Sequence, residues 1–232
     1  MAVNRRNFSS GSLRCRRVPD LIATLPSLPE QAERLIEIGI HRIAGLTPDR
    51  LREAADRRVS APALIVVHHG LAPASMLAPL LSRAGKPGFV VSDMSDVDDF
   101  TPIASIDMPD APLYVLYDLD RGDAMANWSP DEALPALADA GRTPLTLTEG
   151  VHWLLQRPDV LERGRCFMTI GSRLCKPSGA LDARTPALWI SNGTGRDGSA
   201  NADAPKVGWC WAGNRHTWLG FGSAGGRLAV DG

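Results

Sequence analysis

Apolar spacing changes along this chain, from a mainly helical repeat in its first two thirds to strand-like alternation in its last third. A helix needs apolar residues at i, i+3 and i+4, and a half-buried strand needs them at every second position. One stretch cannot satisfy both, so helices and strands must occupy different parts of the chain. The first helix opens at Ser27-Leu28-Pro29-Glu30. This is a capping-box pattern, in which the Ser hydroxyl and the Glu carboxylate serve the unpaired N–H groups of the first turn. Ala32, Leu35, Ile36 and Ile38 follow until Gly39 stops it. Thr47-Pro48 opens a second helix with Leu51, Ala54 and Ala55 on one face, so residues 18–58 read as a helical pair. The link between them looks like a helix-hairpin-helix turn, which grips DNA phosphate. Its glycine-rich loop is incomplete, and a plain packed pair is the expectation.

Residues 64–67 read as a buried strand ending at His68-His69-Gly70, and 75–83 as a helix whose regularity Pro79 lowers. Residues 88–91 and 113–117 read as further strands. Ser129-Pro130-Asp131-Glu132 and Thr146-Leu147-Thr148-Glu149 repeat the capping box, and the last helix ends before Pro158. Strands are expected at 166–170 and 187–190. Another at 207–212 should pair with 217–221 across a hairpin turn of Gly213, Asn214, Arg215 and His216. The expected class is α+β: a helical N-terminal part packed on a mixed or antiparallel sheet, with a β-rich C-terminal third. Residues 18–232 should form a single domain, and 232 residues are ample for a core without staples.

The net charge of -1 hides an asymmetry. Residues 1–17 carry Arg5, Arg6, Arg14, Arg16 and Arg17 with no acid, leaving a clearly acidic body. Residues 1–17 are read as a disordered basic arm. An acidic body offers no electrostatic footprint for nucleic acid, which is therefore not an expected partner. Arg5-Arg6 looks like a twin-arginine export signal, but no apolar stretch follows it. No run approaches the length of a membrane span. A cytoplasmic location with no membrane partner is expected, and Cys15, Cys166, Cys175 and Cys210 are read as free thiols. A homo-oligomer is compatible with this composition.

The most unusual stretch is GWCWAGNRHTWLGF, residues 208–221. Alternation puts Trp209 and Trp211 on one face, a wall on which a ligand ring or cation can stack. Asn214, Arg215 and His216 beside it can orient a carboxylate or an amide. The run ALWISNGTGRDG, residues 187–198, carries a glycine-rich loop with Arg196 and Asp197, yet fits neither a P-loop nor a dinucleotide fingerprint. LYVLYDLDRGD, residues 113–123, is an apolar strand ending in Asp118-x-Asp120. It looks like the first motif of haloacid-dehalogenase-type phosphatases, although Arg121 stands where Thr or Val is usual. Carboxylates between Asp93 and Asp99 would add ligands for Mg²⁺. The Cys and His spacing matches no zinc pattern, so no metal site is expected. His152, alone on a helix beside Trp153, reads as structural or surface.

Taken together, KPGFVVSDM, APLYVLYDLDRGD, NWSPDEALPALADAGRTPLTLTEG, CFMTIGSR, PALWISNGTGRDG and KVGWCWAGNRHTWLGF resemble an actinobacterial family of domains of unknown function. The resemblance runs from about residue 31 to 227 and implies a cytoplasmic single domain with no assigned activity.

The leading functional expectation is a cofactor-independent enzyme acting on a small polar metabolite, in keeping with secondary-metabolite biosynthesis. His216 and Asp197 would be its catalytic residues, with His216 as general acid/base. Arg196, Asn214, Arg215, Trp209 and Trp211 would bind substrate. The alternatives are a noncatalytic small-molecule-binding or regulatory module on the same wall, and Mg²⁺-dependent phosphoryl transfer at Asp118 and Asp120.

Overall fold

A computed structural model describes residues 25–59 and 62–230. The basic arm at 1–17 lies outside the described residues, as does 18–24 of the expected helical pair. The α+β class holds: helices lead the chain and strands fill its C-terminal part. Among the described residues six α-helices form, α1 (Leu28–Glu37), α2 (Ile40–Ile43), α3 (Pro48–Ala55), α4 (Ala74–Leu77), α5 (Pro130–Asp139) and α6 (Leu147–Gln156). All three capping boxes close, at Ser27/Glu30, Ser129/Glu132 and Thr146/Glu149. Gly39 adopts φ 83°, the left-handed conformation that ends α1 and starts α2.

Two larger sheets organise the strands. One is antiparallel, ordered Ala63–Val67, Leu113–Tyr117, Gly226–Ala229. The other is mixed, ordered Leu219–Phe221, Cys166–Met168, Arg184–Ile190, Pro205–Trp211, Phe89–Val90. All ten residues of α6 are buried, and the helix touches both Ala63–Val67 and Arg184–Ile190, which joins the two sheets through one core. The main apolar cluster runs from Ala32 of α1 to Val230.

Ala63–Val67 is an edge strand with all five residues buried, so its outward backbone groups need partners other than water. Side chains provide them. The Gln31 amide of α1 donates to the Ala63 carbonyl (2.8 Å) and accepts from Ile65 N–H (3.0 Å). His152 Nε2 of α6 accepts from Val67 N–H (3.3 Å). Its Nδ1 lies 2.9 Å from the Thr148 carbonyl, so the ring is wholly structural. Burial drops the His152 pKa from 6.5 to about 4, keeping the imidazole neutral.

Two local expectations are overturned. The helix expected over 75–83 stops at Leu77, continues as a 3₁₀ turn (Ala78–Leu80), and gives way to a two-residue ladder, Ser82–Arg83 with Lys86–Pro87. Pro79 has no N–H for the helical ladder, and its ring crowds the preceding turn. The expected C-terminal hairpin also does not form. Pro205–Trp211 instead pairs antiparallel with Arg184–Ile190 over seven residues, while Leu219–Phe221 runs parallel to Cys166–Met168 at the opposite edge. A seven-residue ladder satisfies more backbone groups than the expected five-residue hairpin would. The 212–218 segment is therefore a crossover passing two strands. Among the described residues no helix is long and apolar enough to cross a membrane.

Candidate functional site

The crossover loop carries three of the sequence-predicted site residues, Asn214, Arg215 and His216. It is stitched to the start of α5 and to the turn before it. Ala212 N–H donates to Ala183 O (2.7 Å), Asp131 N–H to Ala212 O (3.2 Å), and Asn127 N–H to His216 O (2.8 Å). Asn127 takes φ 68°, a left-handed conformation that asparagine tolerates better than most residues. Arg215 then reaches Glu132 through its Nε (3.0 Å) and, on the other carboxylate oxygen, through Nη2. Glu132 Oε2 also accepts from Ser129 N–H and the Ser129 hydroxyl. The Ser129 backbone N–H, then Arg215, then that hydroxyl hold the Glu132 carboxyl below the usual carboxylate range.

Around these residues an open cleft of about 370 Å³ is lined by Ala126, Asn127, Trp128, Glu132 and Arg215. Trp128, Trp211, Trp218 and Leu181 are 42%, 47%, 39% and 43% exposed, so four large apolar side chains face water. Trp209 and Trp211 share a face as alternation requires, their rings edge-on with centroids 4.6 Å apart. Trp209 is packed against the main core, while Trp211 stays in solvent. The His216 ring sits 5.2 Å from Trp218, with its Nε2 buried and without a hydrogen-bond partner among the described residues.

Arg196 and Asp197 stand on a different loop. They belong to the 3₁₀ turn Gly195–Asp197 in the loop before Pro205, whereas the Arg215 loop follows Trp211. The intervening strand, about 20 Å long, runs from one loop to the other. The Asp197 carboxylate is buried against Lys206 Nζ at 2.7 and 2.8 Å and accepts from Ser191 Oγ at 3.0 Å. Lys206 in turn lies over the Trp189 ring, 4.4 Å from its centroid. This arrangement ties the glycine-rich loop, through Asp197, to the strand that follows it.

Asp118, Asp120, Asp96 and Asp98 are also engaged. Asp118 takes φ 54° and its carboxylate accepts from Arg142 Nη1 (2.8 Å), while Asp120 accepts from Gly122 N–H (2.8 Å). Asp96 pairs with Arg184 through two hydrogen bonds (3.0 and 2.7 Å), and Asp98 receives Ser75 N–H (2.9 Å) and its hydroxyl (2.5 Å) at the start of α4. Among the described residues no three His, Cys, Asp or Glu side chains converge as metal ligands would. Cys166 is a buried free thiol and Cys175 an exposed one.

Asn127, Trp128 and Glu132 were not picked out by sequence reasoning. Asn-Trp directly precedes the second capping box, a signal that was read only as a helix start. A smaller cleft of about 210 Å³ was also missed. His68, Leu71, Asp110, Ala111 and Pro112 line it at the end of Ala63–Val67. The His68 and His69 rings lie 4.3 Å apart, and burial lowers the pKa of both.

No curated protein and no solved structure matches the chain significantly. A family of unknown function (DUF5701) matches residues 34–230, most of the chain and every element of the cleft, and the chain belongs to that family.

Proposed function

We propose that this protein binds a small polar metabolite in the cleft between the 123–129 turn, the first turn of α5 and the 212–218 crossover. One observation carries the reading: an indole (Trp128), an amide (Asn127), a guanidinium (Arg215) and a carboxylate (Glu132) line one open cleft. An apolar wall with a few convergent polar groups is the usual make-up of a small-molecule site. Trp218, kept in water beside the His216 ring despite its size, supports it.

Binding without chemistry is the better-supported form, because the proposed catalytic pair is split. Among the described residues His216 Nε2 has no hydrogen-bond partner, and Asp197 is committed to Lys206. The enzymatic form keeps one observation in its favour, the unpartnered His216 Nε2 beside Trp218. A panel of small polar metabolites, read by tryptophan fluorescence and thermal shift, tests both. A ligand that raises the melting temperature of the parent should bind at least ~10-fold more weakly to Trp128→Phe and Arg215→Ala. Unchanged affinity in both variants removes the cleft as the site. Turnover of that ligand, lost in His216→Ala with binding retained, would make the protein an enzyme.

A further inference from the structure

The chemistry left open in the cleft specifies its ligand more closely, and this step rests on the cleft being the binding site. Arg215 contacts Glu132 through one edge only, Nε and Nη2. Nη1 makes no hydrogen bond among the described residues, and a guanidinium offers five donors in a planar fork. The edge formed by Nη1 and the remaining Nη2 hydrogen is therefore open to a second carboxylate, which it would bind in bidentate fashion. Glu132 is similarly half used. Its Oε2 serves Ser129 twice and Arg215 once, while Oε1 accepts only from Arg215. A carboxylate oxygen has lone-pair capacity for a further donor. One cation and one anion thus sit side by side in the same opening, each with a free valence.

A ligand carrying only a negative charge would meet Glu132, and one carrying only a positive charge would meet Arg215. Either mismatch is penalised as the site loses water, because like charges in contact are costly. A ligand carrying both signs one or two bonds apart satisfies both. Trp128 forms the adjoining wall and suits a planar or apolar body. Asn127 adds an amide that can both donate and accept. We propose that the cleft takes an α-amino-acid-like zwitterion: its carboxylate on Arg215, its ammonium on Glu132, its side chain against Trp128.

Three probes of nearly equal size separate the terms: L-phenylalanine, phenethylamine (no carboxylate) and 3-phenylpropionate (no ammonium). Titrated into the full-length protein by calorimetry, L-phenylalanine should bind at least ~10-fold more tightly than either single-charge analogue. Glu132→Gln should abolish that preference and leave the fold intact, since glutamine also completes a capping box. Arg215→Gln should do the same without touching the cap. If 3-phenylpropionate or phenethylamine binds as well as L-phenylalanine, the zwitterion assignment is overturned while the cleft survives as a binding site. If none of the three binds, the zwitterion assignment also falls. A hit from the wider metabolite panel that Trp128→Phe weakens would then show that the cleft reading stands without it, and no hit at all would remove both.

Discussion

Replacing Asp197 tests whether the glycine-rich loop is part of a site or part of the scaffold. Asp197→Ala removes the carboxylate that accepts two short bonds from Lys206 and one from Ser191. The side chains of Lys206 and Asp197 are only 6% and 7% exposed, so water cannot replace what is lost. Breaking a buried ion pair on one side leaves an uncompensated charge, at a cost of about 3–5 kcal/mol. For a chain of this size each kcal/mol moves the melting temperature by roughly 2–4 °C, so the expected drop is about 6–20 °C. The Trp189 face under Lys206 offsets only part of this. Adding Lys206→Met removes the stranded ammonium and should recover most of the loss, because a buried pair replaced by apolar groups is often neutral. Thermal melts and urea unfolding followed by tryptophan fluorescence measure all three proteins. An Asp197→Ala change under about 1 kcal/mol, or a double variant worse than the single one, would refute the argument. Loss of ligand binding at unchanged stability would instead return Asp197 to the site.

Two further perturbations probe the buried polar groups that join the sheets. The His152 pKa of about 4 lies below its ordinary 6.5, so between these values the unfolded chain holds the extra proton. Stability from this residue is complete above pH 6.5 and is lost as pH falls toward 4, by about 3 kcal/mol in all. Urea unfolding of the parent and His152→Gln at pH 7 and pH 5 should show a shallower acid slope in the variant, and equal slopes would refute it. Tyr114 donates to Glu149 Oε1 at 2.9 Å inside the core. Tyr114→Phe should cost about 1.5–3 kcal/mol, the range for a hydrogen bond to a charged group. A neutral result in denaturant titration would mean that the phenol adds nothing to Glu149.

Local order was legible in the sequence, and partnership at a distance was not. The capping boxes at Ser27, Ser129 and Thr146 set three helix starts because each is a contest among four neighbouring residues. The alternation of Trp209 and Trp211 fixed their shared face for the same reason. The C-terminal strand pairing failed because the true partners lie 21 and 53 residues away (Ala187 with Gly208, Phe167 with Gly220), a choice that depends on ladder length and burial. Gly213 to His216 look like a turn whichever way the chain continues. The candidate site split along that fault. Asn214, Arg215 and His216 stay together on the crossover, while Asp197 turned out to face Lys206. Glu132, read as a helix start, became the anion beside Arg215.

The three capping glutamates show how far one local motif can diverge, and they supply a last test. Each accepts from its N-cap backbone N–H: Glu30 from Ser27, Glu132 from Ser129, Glu149 from Thr146. What the rest of the carboxylate meets is set by tertiary structure. Glu30 stays in solvent beside the Ser27 hydroxyl, and Glu132 meets Arg215 at an open cleft. Glu149 is fully buried, taking Arg227 Nε (2.6 Å) and Nη2 (2.7 Å) together with the Tyr114 hydroxyl. Arg227 is 4% exposed and donates onward to Thr143 and to the Pro144 carbonyl, fastening the last strand to the start of α6. Glutamine can close a capping box in all three places, so the cap alone predicts three mild substitutions. The surroundings predict otherwise. Glu30→Gln and Glu132→Gln should leave the melting temperature within the scatter of replicate melts. Glu149→Gln strands a buried guanidinium and should cost about 3–5 kcal/mol. If all three behave alike, the Arg227–Glu149 pair is not what holds the C-terminal strand. If only Glu149→Gln melts early and only Glu132→Gln alters ligand binding, the same four-residue pattern serves as cap, binding anion and core ion pair according to what the chain folds against it.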